Sequence, residues 1–340
     1  MSDVKYERVL LLGGRGLLGR SVAGRLGELE REGKLTFTSP DRESADITDK
    51  GAIARTVSEA APDLIINCAA QANVEGAEED PIHAFMVNAV AVENLASLAR
   101  EHSAALLHLS TDYVFDGEKG SAYSEEDLPD PRCVYGASKH AGEMAILGAE
   151  LETAWIVRTS WLHGPGGGHF PALVTRLARA QKEITIVDDQ RGAPTSAALV
   201  ADAILEIAGL TGGGGIEPGL LHVAGRGECS WYDLARRVVD ELEARGEPLV
   251  LEQVTAVSTE EYAERCRAAG KEPPAAPRPP CSTLDCSRYE RLSGKSLPTW
   301  EDALAREMAG DLDLYLGENT LSETDAEPGP SGETREAEPT

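Results

Sequence analysis

The sequence predicts an α/β fold: a doubly wound parallel sheet followed by a smaller C-terminal lobe packed over the ends of the strands. Three observations carry this. Short apolar runs alternate with helix-like segments through the first half. A glycine-rich turn joins the first run to the first helix, and the alternation loosens after about residue 165. Residues 1–165 are thus expected to form the sheet domain and 166–310 mainly the lobe, some of whose segments can return to the sheet. Residues 311–340 carry nine acids and one base with little apolar periodicity, the composition of a disordered acidic tail.

The elements follow in order. "RVLLLGG" (8–14) is a short strand ending in glycines, and "LLGRSVAGRLGEL" sets Leu18, Val22 and Leu26 on one helical face. "LTFTS" (35–39), "DLIINCAA" (63–70), "ALLHLST" (105–111) and "AWIVRTS" (154–160) are almost continuously apolar, as strands covered on both faces are. Helices are expected between them, notably over 83–101 and 134–148. In the second half, "GPGGGHF" and "TGGGGIEPG" read as loops, and Ser230 with Asp233 caps a further helix. "EPPAAPRPP" (272–280) is too rich in proline for helix or central strand and is expected to be extended.

Composition narrows the function classes. The 340 residues are 41% hydrophobic, enough for a large core, and no apolar run approaches the ~18 residues of a membrane span. A formal net charge of −26 argues against nucleic acid and anionic membrane as partners. The start lacks the basic, cleavable pattern of a signal peptide, so the cytoplasm is the expected location. Six scattered cysteines without C-x-x-C read as reduced thiols, and neither they nor the seven histidines show a metal-ligand spacing. No metal is expected.

The glycine turn "LLGGRGLLGR" spaces Gly13, Gly16 and Gly19 as G-x-x-G-x-x-G between a strand and a helix. Glycines there permit a tight turn and let backbone approach a pyrophosphate held at the helix N-terminus, so a dinucleotide is expected. The end of the second strand should meet the adenosine ribose. It reads "TSPDRESADIT" and offers both Asp41, suited to a 2′-hydroxyl, and Arg42, suited to a 2′-phosphate. Arg15, inside the turn, adds a second guanidinium. NADPH is the expected cofactor, with NADH tolerated.

Tyr135 and Lys139 stand four residues apart on the helix over 134–148, and so share a face. The preceding strand ends in Ser110 and Thr111, at the edge where open α/β sheets keep their sites. This set suits ketone reduction. Hydride addition leaves an alkoxide that needs a proton, and free tyrosine, with a pKa near ~10, is a poor donor. A nearby ammonium favours the phenolate and makes exchange practical, while the Thr111 hydroxyl can fix the carbonyl oxygen. Lys139 can also hold the nicotinamide ribose.

These residues resemble the extended short-chain dehydrogenase/reductases, with their Rossmann-like fold. Within them the chain is similar to the dTDP-4-dehydrorhamnose reductase branch over about residues 7–308. The glycine turn "GGRGLLG" and the Y-x-x-x-K of "VYGASKHAGE" belong to the whole superfamily; "STDYVFDG" with "RTSW" and "QRGAPT" is more specific, and "RPPCSTLD" also carries the likeness. The resemblance implies that Gly16, Leu17 and Leu18 contact the diphosphate, Asp46 and Ile47 flank the adenine, and Ala69 and Ala70 line the cofactor, with Asn67 and Asn88 structural. It makes Thr111, Tyr135 and Lys139 the catalytic set and places Asp112, Trp161, Gln190, Thr195 and Arg278 at the nucleotide sugar. Some relatives bind magnesium through a glutamate just past the glycine turn; Ser21 stands there, so the metal is not carried over. Related dehydratases have an acidic pair after the threonine. Here Asp112 is followed by Tyr113, which favours plain reduction over elimination.

The implied activity is reduction of the C4 keto group of dTDP-4-dehydro-L-rhamnose in polysaccharide precursor synthesis, and a homodimer is allowed. Two rivals stay open: a reductase or epimerase of another nucleotide sugar, and a non-catalytic protein like the regulatory subunit of methionine adenosyltransferase.

Overall fold

The structure is a computed structural model and describes residues 4–212, 214–310 and 312–316. The five expected strands form as β1 (Arg8–Leu12), β2 (Thr36–Thr38), β3 (Leu64–Asn67), β4 (Ala105–Thr111) and β5 (Ala154–Thr159), but β2, at the sheet edge, exposes Thr36 and Thr38 and is not covered on both faces as expected. Shorter strands follow: β6 (Leu162–His163), β7 (Glu183–Val187), β8 (Arg191–Gly192), β9 (Thr195–Ser196), β10 (Gly219–His222), β11 (Cys229–Ser230) and β12 (Gln253–Val257). The first-half helices are α1 (Leu17–Arg31), α2 (Lys50–Ala60), α3 (Val74–Glu79), α4 (Pro81–Phe85), α5 (Ala91–Glu101) and α6 (Val134–Gly148). The second half has α7 (Phe170–Ala180), α8 (Ala197–Ile207), α9 (Trp231–Ala244), α10 (Thr259–Ala268), α11 (Ser287–Ser293), α12 (Trp300–Ala309) and α13 (Leu312–Leu316).

The main sheet runs β10-β5-β4-β3-β1-β2, parallel throughout. Strand alternation sorts its side chains into two layers. Val9 and Leu11 pack with α1 and α8, whereas Leu10 and Leu12 pack with α2 and α5. From β1 the chain passes to β2 on one side and later to β3 on the other, so a crevice opens at the carboxyl ends of β1 and β3. Register aligns Leu12, Asn67 and His108 across β1, β3 and β4, which brings the ends of all three strands to that crevice.

Two segments of the second half return to this domain. β10 extends the sheet beside β5, and α8 buries Val200, Ala201 and Ile204 in the layer shared with α1. The lobe itself is built on the β7–β12 pair with α7, α9 and α12 around a separate core. Its helix α9 opens as its sequence implies: Asp233 N donates to Ser230 Oγ and Ser230 N to Asp233 Oδ2, both at 3.0 Å.

Two further expectations need correction. Within the expected tail, α13 is helical and Tyr315 is buried against His163 and His169, its hydroxyl 3.0 Å from His163 Nδ1. An aromatic anchor outweighs the acidic composition around it; the rest of that stretch lies outside the described residues. The helix from Pro81 to Glu101 is, by length and composition, apolar enough to cross a membrane. Its Ala91, Val92, Leu95, Ala96 and Ala99 are nevertheless buried against the sheet.

Candidate active site

The site begins at the glycine turn. Gly13 takes φ +76°, and a Cβ there would lie 2.5 Å from Ala69 N; a Cβ on Gly19 would lie 2.0 Å from Gly13 O. Only glycine lets the turn, the β3 end and α1 approach this closely. Gly16 caps α1 with no side-chain hydrogen bond, which leaves the first amides of the helix facing the crevice. A cradle without side chains at an uncapped helix start fits the diphosphate of a dinucleotide. Beyond the end of β2, Arg15 Nη2 meets Asp41 Oδ2 at 3.0 Å and Arg42 Nε meets Asp46 Oδ2 at 3.5 Å, both guanidiniums largely in solvent.

Helix α6 carries Tyr135 and Lys139. It lies close to its neighbours because two glycines let it: a Cβ on Gly136 would be 2.1 Å from Tyr113 O, and one on Gly142 2.1 Å from Asn88 O. Asn88 sits in a π-helical turn, Met86–Val90, and donates through Nδ2 to Ser138 Oγ at 2.9 Å. It also brackets Gln71, accepting from its N and donating to its O. One wider turn aims a single amide at α6 and the β3 loop together. Asn67 accepts from Ala69 N at 3.1 Å.

Tyr135 and Lys139 consequently project from one face of α6 into a cleft of about 440 Å³. Gly16, Leu17, Leu18, Gly19, Ala70, Thr111, Asp112 and Trp161 line the same cleft. The Tyr135 ring is half-buried and meets Tyr113 edge-on at 5.6 Å. Lys139 is buried and donates to Leu109 O at 2.6 Å. Burial pushes its ammonium down to about 8, against the opposing pull of Glu143. Asp112 accepts from Ser282 Oγ at 2.5 Å and from Thr111 Oγ1 at 3.1 Å, which ties the "CSTLD" segment to the β4 end.

A second cleft of about 350 Å³ lies alongside, with Phe170 and Trp231 in the wall between them. Gln190 and Arg278 line it, the former bonded to Thr259 Oγ1 at 2.9 Å and the latter paired with Glu75 at 2.9 Å. The proline run 273–280 forms its rim, extended as its composition implies. Trp161 stacks face to face on Trp231 at 3.5 Å between ring centres, with φ +41° at Trp161.

The profile described as RmlD substrate binding domain matches residues 7–312. A dTDP-4-dehydrorhamnose reductase of Aggregatibacter actinomycetemcomitans is 35% identical over 298 residues, 87% of this chain and 97% of that protein. The chain belongs to the dTDP-4-dehydrorhamnose reductase family. Its Streptomyces griseus member is 36% identical over 89% of this chain and 94% of that protein. The Bacillus anthracis reductase, solved in complex with NADP, superposes with a TM-score of 0.78 at 32% identity, covering 91% of this chain and 99% of that one. A Thermus thermophilus UDP-glucose 4-epimerase, 20% identical with a TM-score of 0.68, shares the fold.

Two residues expected at ligands in this reductase family place their side chains elsewhere. Thr195 is fully buried, its hydroxyl bonded to Ala193 O and Gly225 N, so it holds the loops that frame the lobe and does not reach either cleft. Ile47 lies in the core layer of Leu10, Leu12 and Ile53, which leaves its backbone, not its side chain, to flank a bound base. Phe170, Trp231, His108, Glu143 and Arg158 were missed. Glu143 carried a signal, since it stands four residues after Lys139 on the same helical face. The others meet the site only through tertiary contacts.

Proposed function

We propose that this protein reduces the C4 keto group of dTDP-4-dehydro-L-rhamnose to give dTDP-L-rhamnose, with NADPH as donor and NADH tolerated. The observation that carries the reading is the convergence of Thr111, Tyr135 and Lys139 on one cleft floored by the glycine turn. The dinucleotide, when bound, supplies the hydride. Gly16, Leu17 and Leu18 hold its diphosphate at the start of α1, and Ala70 lines its path along the crevice. Thr111 donates to the C4 oxygen and fixes its position. Tyr135 delivers the proton that this oxygen needs once hydride has arrived, and Lys139 eases its loss from the phenol. Asp112 and Trp161 face the sugar, while Gln190, Arg278 and the Phe170–Trp231 wall suit the base and diphosphate in the second cleft.

Consumption of reduced nicotinamide with this sugar nucleotide, ranked against other keto sugars, tests the reading. Fastest turnover of the 4-keto-L-rhamnose compound supports it. Preference for another sugar favours the rival reductase or epimerase, and no turnover favours a binding protein. Cofactor choice has its own test. Arg15→Ala combined with Arg42→Ala is expected to lower the NADPH-to-NADH ratio of kcat/KM by about tenfold, the scale of one lost charge-assisted hydrogen bond.

A homodimer fits the exposed apolar side chains Ile82 and Phe85 of α4 and Met86 of the π-helical turn, with Met144 and Leu147 on the adjoining α6. Sedimentation as a monomer at every concentration would remove it. All six cysteines are free thiols, in keeping with a reducing, cytoplasmic compartment.

A further inference from the structure

His108 on β4 is fully buried and sets Nε2 3.2 Å from Lys139 Nζ. Its other ring nitrogen, Nδ1, lies 3.0 Å from Nδ2 of Asn67 at the end of β3. Ala69 decides which ring nitrogen bears the proton. The Ala69 N–H is a fixed donor and reaches Asn67 Oδ1 at 3.1 Å. Turning the amide over would set its NH2 group against that N–H, so the oxygen stays there. Asn67 Nδ2 therefore donates to His108 Nδ1, which must present its lone pair. Burial, reinforced by Lys139, keeps the ring neutral. A neutral ring with a free Nδ1 carries its proton on Nε2.

That Nε2–H points at Lys139 Nζ. An ammonium has only protons to offer it, whereas an amine has a lone pair. We infer that His108 is a positioning residue for Lys139, held by Asn67 and Ala69 as the Nε2–H tautomer so that it donates to, and stabilises, the unprotonated amine. The Leu109 carbonyl, 2.6 Å from Nζ, accepts from either form and leaves the choice to His108. Other groups near the ring do not supply the missing acceptor. Glu143 on α6 is engaged by Arg158 of β5, Ser110 and His140, and burial holds the Cys68 thiol neutral by pushing it up to about 12.

The consequence for turnover rests on the proposed reduction. As the Tyr135 O–H bond breaks to protonate the C4 oxygen, the phenolate takes a proton from Lys139. The amine left behind accepts the hydrogen bond from His108, whose own proton stays on Nε2. Solvent entering the cleft then restores the ammonium.

The test starts on the native protein without substrate. Long-range proton–nitrogen spectra of the isotope-labelled histidine rings, with the His108 signals assigned by their loss in His108→Gln, should show protonated Nε2 and bare Nδ1. Protonation at Nδ1 instead overturns the inference. A second readout is the pH profile of kcat, whose basic limb marks loss of the Lys139 ammonium. In His108→Gln the amide can turn its oxygen to that ammonium, and in Asn67→Asp the carboxylate demands an Nδ1–H. Both are expected to move the limb upward by about one unit. Limbs that superpose on the native one in both variants also overturn it. The ring spectrum needs no substrate, so it decides this point even if the proposed reaction is not observed.

Discussion

Tyr135→Phe is expected to lower kcat by about 10²–10⁴-fold, the usual worth of a positioned proton donor, while NADPH still binds. Phenylalanine keeps the ring against Tyr113 and its place in α6, so the change removes one O–H and little packing. Gly16, Leu17, Leu18 and Lys139 are untouched, so the glycine-turn cradle and the buried Lys139 ammonium persist. The discriminating measurement pairs calorimetric titration with NADPH against single-turnover reduction of the keto sugar. Lost binding would show that the phenol builds the cofactor site. Retained turnover would remove Tyr135 from the chemistry altogether.

Glu143→Ala is expected to destabilise the fold by about 3–5 kcal/mol, because it strands a buried guanidinium. Arg158 reaches both carboxylate oxygens, at 2.8 and 2.7 Å, and Ser110 donates to one of them at 2.5 Å. Burial alone would raise the Glu143 carboxyl, but hydrogen bonds from Arg158, His140 and Ser110 outweigh it and hold the value at about 2. The folded state thus binds this proton more weakly than the unfolded chain. Its contribution is complete above the unfolded value near ~4.3 and is lost as pH falls toward about 2. Thermal melts should show the variant lowered by roughly 10 °C at neutral pH, with the gap closing in acid. An unchanged melt would mean that Arg158 finds another partner, and a gap constant with pH would mean that the carboxylate charge is not what matters.

The strands around the crevice were legible because each is a nearly unbroken apolar run of the right length. β10 was not. Gly219–His222 is four residues long, follows a glycine-rich loop, and joins the sheet only after the chain has passed through the lobe. The β6–β9 and β8–β11 pairs are two residues long, and no periodicity marks a two-residue strand; β7 and β12, five residues each, pair only with one another, away from the main sheet. For the site, residue type and spacing located Thr111, Tyr135, Lys139 and the glycine turn, since these chemistries demand those groups. The outcome for Thr195 and Ile47 shows the limit: a motif position says where a residue stands along the chain, while burial decides what its side chain can touch. Tyr315 makes the same point in reverse, one aromatic finding a pocket that composition hides.

The Trp161–Trp231 stack also gives the molecule an optical signature. Two indoles nearly parallel and 3.5 Å apart share their excited states, so their near-ultraviolet circular dichroism should carry a coupled, two-signed band absent from an isolated indole. One ring belongs to the cleft beside Thr111 and the other to the wall shared with the second cleft. Ligand that wedges into either side must disturb their overlap, and the sign and depth of that band would follow occupancy without any label.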